Sequence, residues 1–206
     1  MKEYFDKAFT KVAVLGSGTM GGQIAAHFAN LGFDTTMFDT SEEALSKSIA
    51  MMKKLKPTPF ASPTVSGLIK TSTYDDLTAI SGCDFIIESI VENLDIKKKL
   101  FKQISPYVND NAILVTNTSG LSIQKIAESA PDDLRSRIFG VHFFNPPRYL
   151  PLVELIRTSY SDESLLIKAE GFITSALGKE VVYAKDSPAF VANRIGVFSF
   201  MAVLKH

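Results

Sequence analysis

His142 and Glu154 are the pair of residues in this sequence best suited to move a proton. His142 lies in an apolar run, 138–143, that reads as a strand, and Glu154 lies in a second, 153–156, 12 residues further on. If the two strands are neighbours, the carboxylate can hold one ring nitrogen, fix the tautomer and stabilise the imidazolium. The other ring nitrogen is then free as a general base. On spacing alone, a satisfied core histidine is an equal reading of His142. The remaining histidines are poorer candidates: His27 sits in the middle of a helical pattern and His206 is the last residue.

A second set of residues suits phosphate. The apolar run 12–15 leads straight into Gly16-Ser17-Gly18-Thr19-Met20-Gly21, a G-x-G-x-x-G where a strand must turn into a helix. Gly16 allows the tight turn, Gly18 lets the backbone approach a pyrophosphate, and Gly21 lets the helix pack closely on the strand. The unpaired N–H groups and positive dipole end of a helix over 20–31 would face that phosphate. A second strand, 35–38, ends at Asp39, 18 residues beyond Gly21. That carboxylate would accept hydrogen bonds from adenosine ribose hydroxyls and repel a 2′-phosphate, so the expected cofactor is NAD rather than NADP.

Short apolar runs alternate with helical patterns along the chain, the signature of a parallel sheet with crossover helices. The patterning predicts a helix over 42–54 capped by Ser41, an irregular loop over 57–66, and strands over 68–72, 83–88 and 112–116. Helices are expected over 94–104, over 122–129, and over 161–177 with Ser161 as N-cap and Gly178 as its stop. A last strand is expected over 181–183, and a helix over 190–204. Ligands of an open α/β sheet collect where strands end. Three segments stand there: 88–93 (ESIVEN), 116–120 (TNTSG) and 142–147 (HFFNPP).

Lys+Arg 22 against Asp+Glu 22 leaves no net charge in 206 residues, which points away from nucleic-acid or membrane-surface partners. The single cysteine, Cys83, rules out an internal disulfide framework and fits a reducing, cytoplasmic compartment. At a strand start, it reads as a packing residue. The N-terminal segment lacks the apolar core of a secretory leader, and no run approaches the ~20 apolar residues of a spanning helix. No metal site is expected.

GSGTMG, ESIVEN, TNTSG, HFFNPP, LVELI and SPAFVANRIG stand in the order and approximate spacing of the 3-hydroxyacyl-CoA dehydrogenase family, which the whole chain resembles. The resemblance implies a Rossmann-type, doubly wound, mostly parallel sheet and NAD-dependent oxidation of an acyl-CoA substrate in fatty acid β-oxidation. It implies His142 as base, Glu154 as its partner, and Ser119 and Asn193 as hydrogen-bonding residues around the substrate's 3-oxygen. It also implies that Gly16, Gly18, Thr19, Met20, Gly21, Asp39, Glu92, Lys97, Asn117 and Ser119 form the NAD site. MKKLKPTPF, NPPRYLPLVEL and AKDSPAFVANRIG are similar to bacterial fusion enzymes that carry an enoyl-CoA hydratase module at the C-terminus. Two rivals are a dehydrogenase of another 3-hydroxy acid and a non-catalytic NAD-binding module. The HFFNP…Glu pair weighs against the first, and the intact His142–Glu154 pair against the second.

From Ile195 onward the final helix pattern is apolar nearly all round, and such a helix needs partners on every face. The expectation is a nucleotide-binding domain over 1–186 and the first helix of a truncated helical domain over 187–206. A homo-oligomer formed through this C-terminal region, and weak turnover by the 206 residues alone, follow from that reading.

Overall fold

The structure, a computed structural model, describes residues 9–204; the first eight residues, and with them most of the segment read as lacking a leader, lie outside it, as does His206. Eight strands form one sheet in the order β3-β2-β1-β4-β5-β6-β7-β8. They are β1 Lys11–Leu15, β2 Asp34–Asp39, β3 Lys70–Thr73, β4 Phe85–Glu88, β5 Ile113–Thr116, β6 Ile138–Phe143, β7 Leu152–Ile156 and β8 Glu180–Ala184. Every pairing is parallel except β6 with β7, the two strands expected to carry the proton-transfer pair.

The central strands are buried on both faces and sort residue by residue between two cores. Val12 and Val14 join one cluster with Ile24, Phe28, Leu45 and Leu166. Ala13 and Leu15 join the other, with Leu100, Phe101, Ile126 and Leu134. Helices α1 Thr19–Asn30, α2 Glu42–Met52 and α6 Glu163–Gly171 cover the first face. Helices α3 Leu94–Ile104, α4 Ile123–Ala127 and α5 Asp132–Arg135 cover the second. This is the doubly wound architecture that two-sided burial of short apolar strands requires.

Side-chain caps set several helix starts. Ser41 caps α2 by accepting from the Ala44 N–H, as expected, and Asn93 caps α3 through Asp95 and Ile96. The expected Ser161 cap of α6 is corrected: Asp162 accepts from the Ser164 and Leu165 N–H groups, and the helix starts at Glu163. Ser161 instead turns back to accept from the Thr158 N–H. The expected single helix to 177 ends at Gly171 and continues as a π-helical turn, Phe172–Ala176, before Gly178 at φ +64° stops it. A 3₁₀ turn, Pro63–Leu68, and α5 were not expected. Cys83 is buried, and burial pushes its thiol up to about 11, which confirms a packing residue. The final helix, α7 Ala192–Leu204, begins two residues later than expected, because Ala189 and Phe190 adopt left-handed backbone at φ 61° and 44°.

No helix among the described residues is long and apolar enough to cross a membrane.

Candidate active site

The carboxyl ends of β1, β2, β4 and β5 open into one cleft of about 730 Å³. Its wall includes Gly16, Gly18, Thr19, Met20, Asp39, Glu92, Asn117 and Ser119, eight of the ten residues expected at the nucleotide site. The turn beneath it depends on glycine. Gly16 sits at φ +102°, where a Cβ would lie 2.6 Å from the Ser89 carbonyl oxygen, and a Cβ at Gly21 would run into the Gly16 carbonyl. At Gly18 a Cβ would meet nothing within 4 Å, so the backbone there is open to the cleft.

Asp39 is held as a fixed anion at the far side of this turn. Its Oδ2 accepts from the Ser17 N–H (2.7 Å) and hydroxyl (2.5 Å), and Oδ1 from the Thr40 N–H (2.7 Å) and hydroxyl (3.2 Å). Burial raises its pKa, but the hydrogen bonds from Ser17 and Thr40 outweigh that and lower it, so it stays ionised. Beside it, on the cleft wall, the buried Tyr74 hydroxyl has no hydrogen-bond partner among the described residues, a polar group that a bound ligand would satisfy. These features fit a dinucleotide whose ribose lies by Asp39 and whose pyrophosphate lies over the Gly16–Gly18 turn.

Lys97 and Gly21 stand behind the wall. Lys97 is 1% exposed, with its Nζ 2.6 Å from Glu88 Oε1 and 3.3 Å from Glu92 Oε2. Glu88, fully buried at the end of β4, also accepts from the Ile90 N–H (2.7 Å) and the Thr116 hydroxyl (2.6 Å). Glu92 Oε1 in turn accepts from the Thr118 hydroxyl (2.5 Å) and the Ser119 N–H (2.8 Å). A chain of charge-assisted bonds thus sets the loop after β5 from the helix after β4. Asn117 joins this loop to β6, accepting from the Phe143 N–H at 2.8 Å.

His142 and Glu154 meet as the two-strand argument expects. They are directly opposed in the antiparallel β6–β7 ladder, with His142 Nδ1 2.8 Å from Glu154 Oε2. Both are buried, at 5% and 1% exposure. The ring lies between Phe144 and Phe190, at centroid distances of 4.5 and 5.9 Å. Nδ1 is committed to the carboxylate, and among the described residues no hydrogen bond is seen at Nε2. Asn193, on the first turn of α7, donates to the Ser119 carbonyl at 3.3 Å, which brings together the two residues expected around a substrate oxygen. His27 is elsewhere: its Nε2 lies 3.3 Å from the Leu177 carbonyl, and burial with the nearby Lys179 charge lowers it to about 4, a neutral core residue. Among the described residues no cluster could hold a metal ion.

Glu88, Thr116 and Thr118 fall in the strand-end segments 88–93 and 116–120 that the sequence singled out, but without individual roles; Tyr74 and the backbone amides at the start of α7 carried no expectation. Glu88 carried a usable signal: an acid closing an apolar four-residue strand must bring a partner with it.

Residues 11–187 match the family described as 3-hydroxyacyl-CoA dehydrogenase, NAD binding domain. A Bacillus subtilis protein named a probable 3-hydroxyacyl-CoA dehydrogenase is 38% identical over 221 residues, covering 97% of this chain and 28% of the relative. A 3-hydroxybutyryl-CoA dehydrogenase of Mycobacterium tuberculosis is 33% identical, covering 96% of this chain and 71% of the relative. The crystal structure of an (S)-3-hydroxybutyryl-CoA dehydrogenase from Ralstonia eutropha superposes with a TM-score of 0.79 at 35% identity, covering 91% of this chain and 67% of that one. The chain therefore spans little more than a quarter of the Bacillus relative and about two thirds of the shorter ones. With residues 11–187 matching its NAD-binding domain, the chain belongs to the 3-hydroxyacyl-CoA dehydrogenase family.

Proposed function

We propose that this chain is the NAD-binding and base-carrying part of an (S)-3-hydroxyacyl-CoA dehydrogenase of fatty acid β-oxidation. The observation that carries the reading is the buried His142–Glu154 pair, whose free ring nitrogen stands in a sheet that also carries a dinucleotide cleft. Bound NAD supplies a hydride acceptor. The chain's own residues do the rest: His142 Nε2 takes the proton of the 3-hydroxyl, and Glu154 Oε2 holds Nδ1–H and stabilises the imidazolium. Ser119 and Asn193 hold the substrate oxygen beside the ring. Asp39 orients the ribose, with Glu92, Asn117 and the Lys97–Glu88 pair behind it setting the nicotinamide end. A cytoplasmic location accords with the lone, buried Cys83.

Cofactor choice tests the nucleotide half of this reading. A 2′-phosphate placed beside the Asp39 carboxylate meets like charge worth about 1–4 kcal/mol at ~4 Å. Fluorescence titration should therefore show NADH binding at least about fivefold more tightly than NADPH. Equal affinities would mean that Asp39 does not face the ribose.

In the same proposal residues 1–186 are the nucleotide domain and 187–206 open the helical domain that completes the acyl-CoA site, alone or in a fusion with a hydratase module. Ile195, Val197, Phe198, Phe200, Val203 and Leu204 on α7 are each more than 60% exposed. Each such side chain forgoes roughly 1.5–3 kcal/mol of burial. Light scattering of the 206-residue chain should show a homodimer or larger species that becomes monomeric when residues 190–206 are removed. A monodisperse monomer with α7 present would refute association through this helix.

A further inference from the structure

Glu154 has a second bond set that the proton-transfer scheme leaves unused. While Oε2 holds His142, Oε1 accepts from the Val191 and Ala192 N–H groups at 2.9 and 2.8 Å. These amides belong to the start of α7, reached through a tight elbow. Ala189 and Phe190 are the only non-glycine residues at positive φ among the described residues, and such backbone persists only where surroundings impose it. The surroundings are identifiable. On the near side Asp186 is pinned to the start of α4 by the Ser122 hydroxyl (3.0 Å) and the Ile123 and Gln124 N–H groups (3.0 and 2.9 Å). In the middle the Phe190 N–H donates to the Ser187 carbonyl, and the Phe190 side chain is 1% exposed, beside the His142 ring. Opposite, Gly120 leaves room: a Cβ there would lie 2.9 Å from the Ala189 nitrogen.

We propose that the elbow at residues 187–192 is a positioning element for the His142–Glu154 pair, its two amides holding one Glu154 oxygen so that the other stays on His142. A buried carboxylate oxygen without donors would rotate toward whatever donors it could find, and the nearest is the imidazole itself. The amides remove that choice and draw charge away from the oxygen that faces Nδ1. They also tie the base to the element that carries Asn193, so the proton acceptor and the substrate-oxygen donor share one anchor. The inference rests on His142 as the base, and its test reads the hydrogen bond without needing turnover.

The direct variant is Ala192→Pro. Ala192 is the first helical residue, where proline fits the backbone and deletes only the N–H. Ala192→Ser keeps that N–H and is the control. In ¹⁵N-histidine-labelled protein, the His142 Nδ1 proton resonance should move downfield in Ala192→Pro, because Oε2 becomes the stronger acceptor, and should not move in Ala192→Ser. Reduction of a 3-oxoacyl-CoA should fall about tenfold, the order expected for one lost bond to a charged group, with NADH affinity unchanged. If Ala192→Pro does not fold, Gly120→Ala decides: its new methyl displaces the elbow from outside, and the same downfield shift is expected. An unmoved Nδ1 resonance in the folded variant overturns the proposal, whatever happens to its melting temperature. Loss of turnover in Ala192→Pro with an unmoved resonance overturns it too, and a His142→Gln enzyme of normal rate would instead refute His142 as the base.

Discussion

Replacing His142 by glutamine is expected to lower 3-oxoacyl-CoA reduction by about 10²–10⁴-fold, the usual worth of a positioned general acid–base, while NADH affinity stays within about twofold. Glutamine cannot deliver a proton, but it fills the same buried space between Phe144 and Phe190. Glu154→Gln should cost a comparable factor for a geometric reason. Both carboxylate oxygens already receive donors, Nδ1 on one side and two backbone amides on the other. An amide has one acceptor oxygen, so one set must face an NH₂ group. If the oxygen stays with the backbone, the NH₂ forces Nδ1 to accept and places the proton on Nε2, the wrong tautomer for a base. The double variant should be scarcely worse than either single one, because the two residues act as a unit. Near-normal steady-state reduction by His142→Gln would make His142 the core histidine that its spacing alone allowed.

The largest expected effect on stability is at Lys97. Removing one partner of a fully buried ion pair leaves an uncompensated charge, at a cost of about 3–5 kcal/mol. Lys97→Ala leaves Glu88 in that state, at zero exposure, with only the Ile90 N–H and the Thr116 hydroxyl for company. For a domain of this size the melting temperature should fall by roughly 10 °C. The double variant Lys97→Met, Glu88→Gln should recover at least half of the Lys97→Ala loss, because the neutral amide still accepts from Ile90 and can pair with Thr116. Calorimetry of the three proteins checks this; a Lys97→Ala protein within 1 kcal/mol of the parent, set against the ~3 kcal/mol minimum expected, would mean that water reaches Glu88.

These two predictions draw on different depths of the sequence. The His142–Glu154 contact was legible because strands 138–143 and 153–156 are short, apolar and close in sequence, so a neighbouring pair put residues on one face opposite each other. The helix over 94–104 was legible to the residue, since Leu94, Lys97, Lys98, Phe101 and Ile104 recur every three or four residues; its Asn93 cap came only with the structure. The glycine turn and Asp39 likewise declared themselves through spacing. What was hidden depends on contacts between distant segments. Nothing local distinguishes Asp162 from Ser161 as the cap of α6; the Thr158 N–H, which engages Ser161, decides it. The elbow is invisible for the same reason. Ala189 and Phe190 have no intrinsic preference for left-handed backbone, and the carboxylate that receives the amides just beyond them lies 37 residues away from Val191. Tyr74 reached the cleft wall with no pattern to announce it, and its pKa is raised by burial and by the nearby Asp39 and Glu88 charges.

In the proposed function the cleft and the His–Glu pair together oxidise a 3-hydroxyacyl-CoA. Single-turnover absorbance at 340 nm, with the chain at a concentration stoichiometric with NAD, tests it most directly and detects even slow chemistry. The account predicts NADH formation from (S)-3-hydroxybutyryl-CoA, none from the (R) enantiomer, and loss of the signal in His142→Gln. It is contradicted if NAD binds but the (S) substrate yields no NADH, or if the His142→Gln protein forms NADH as fast as the parent.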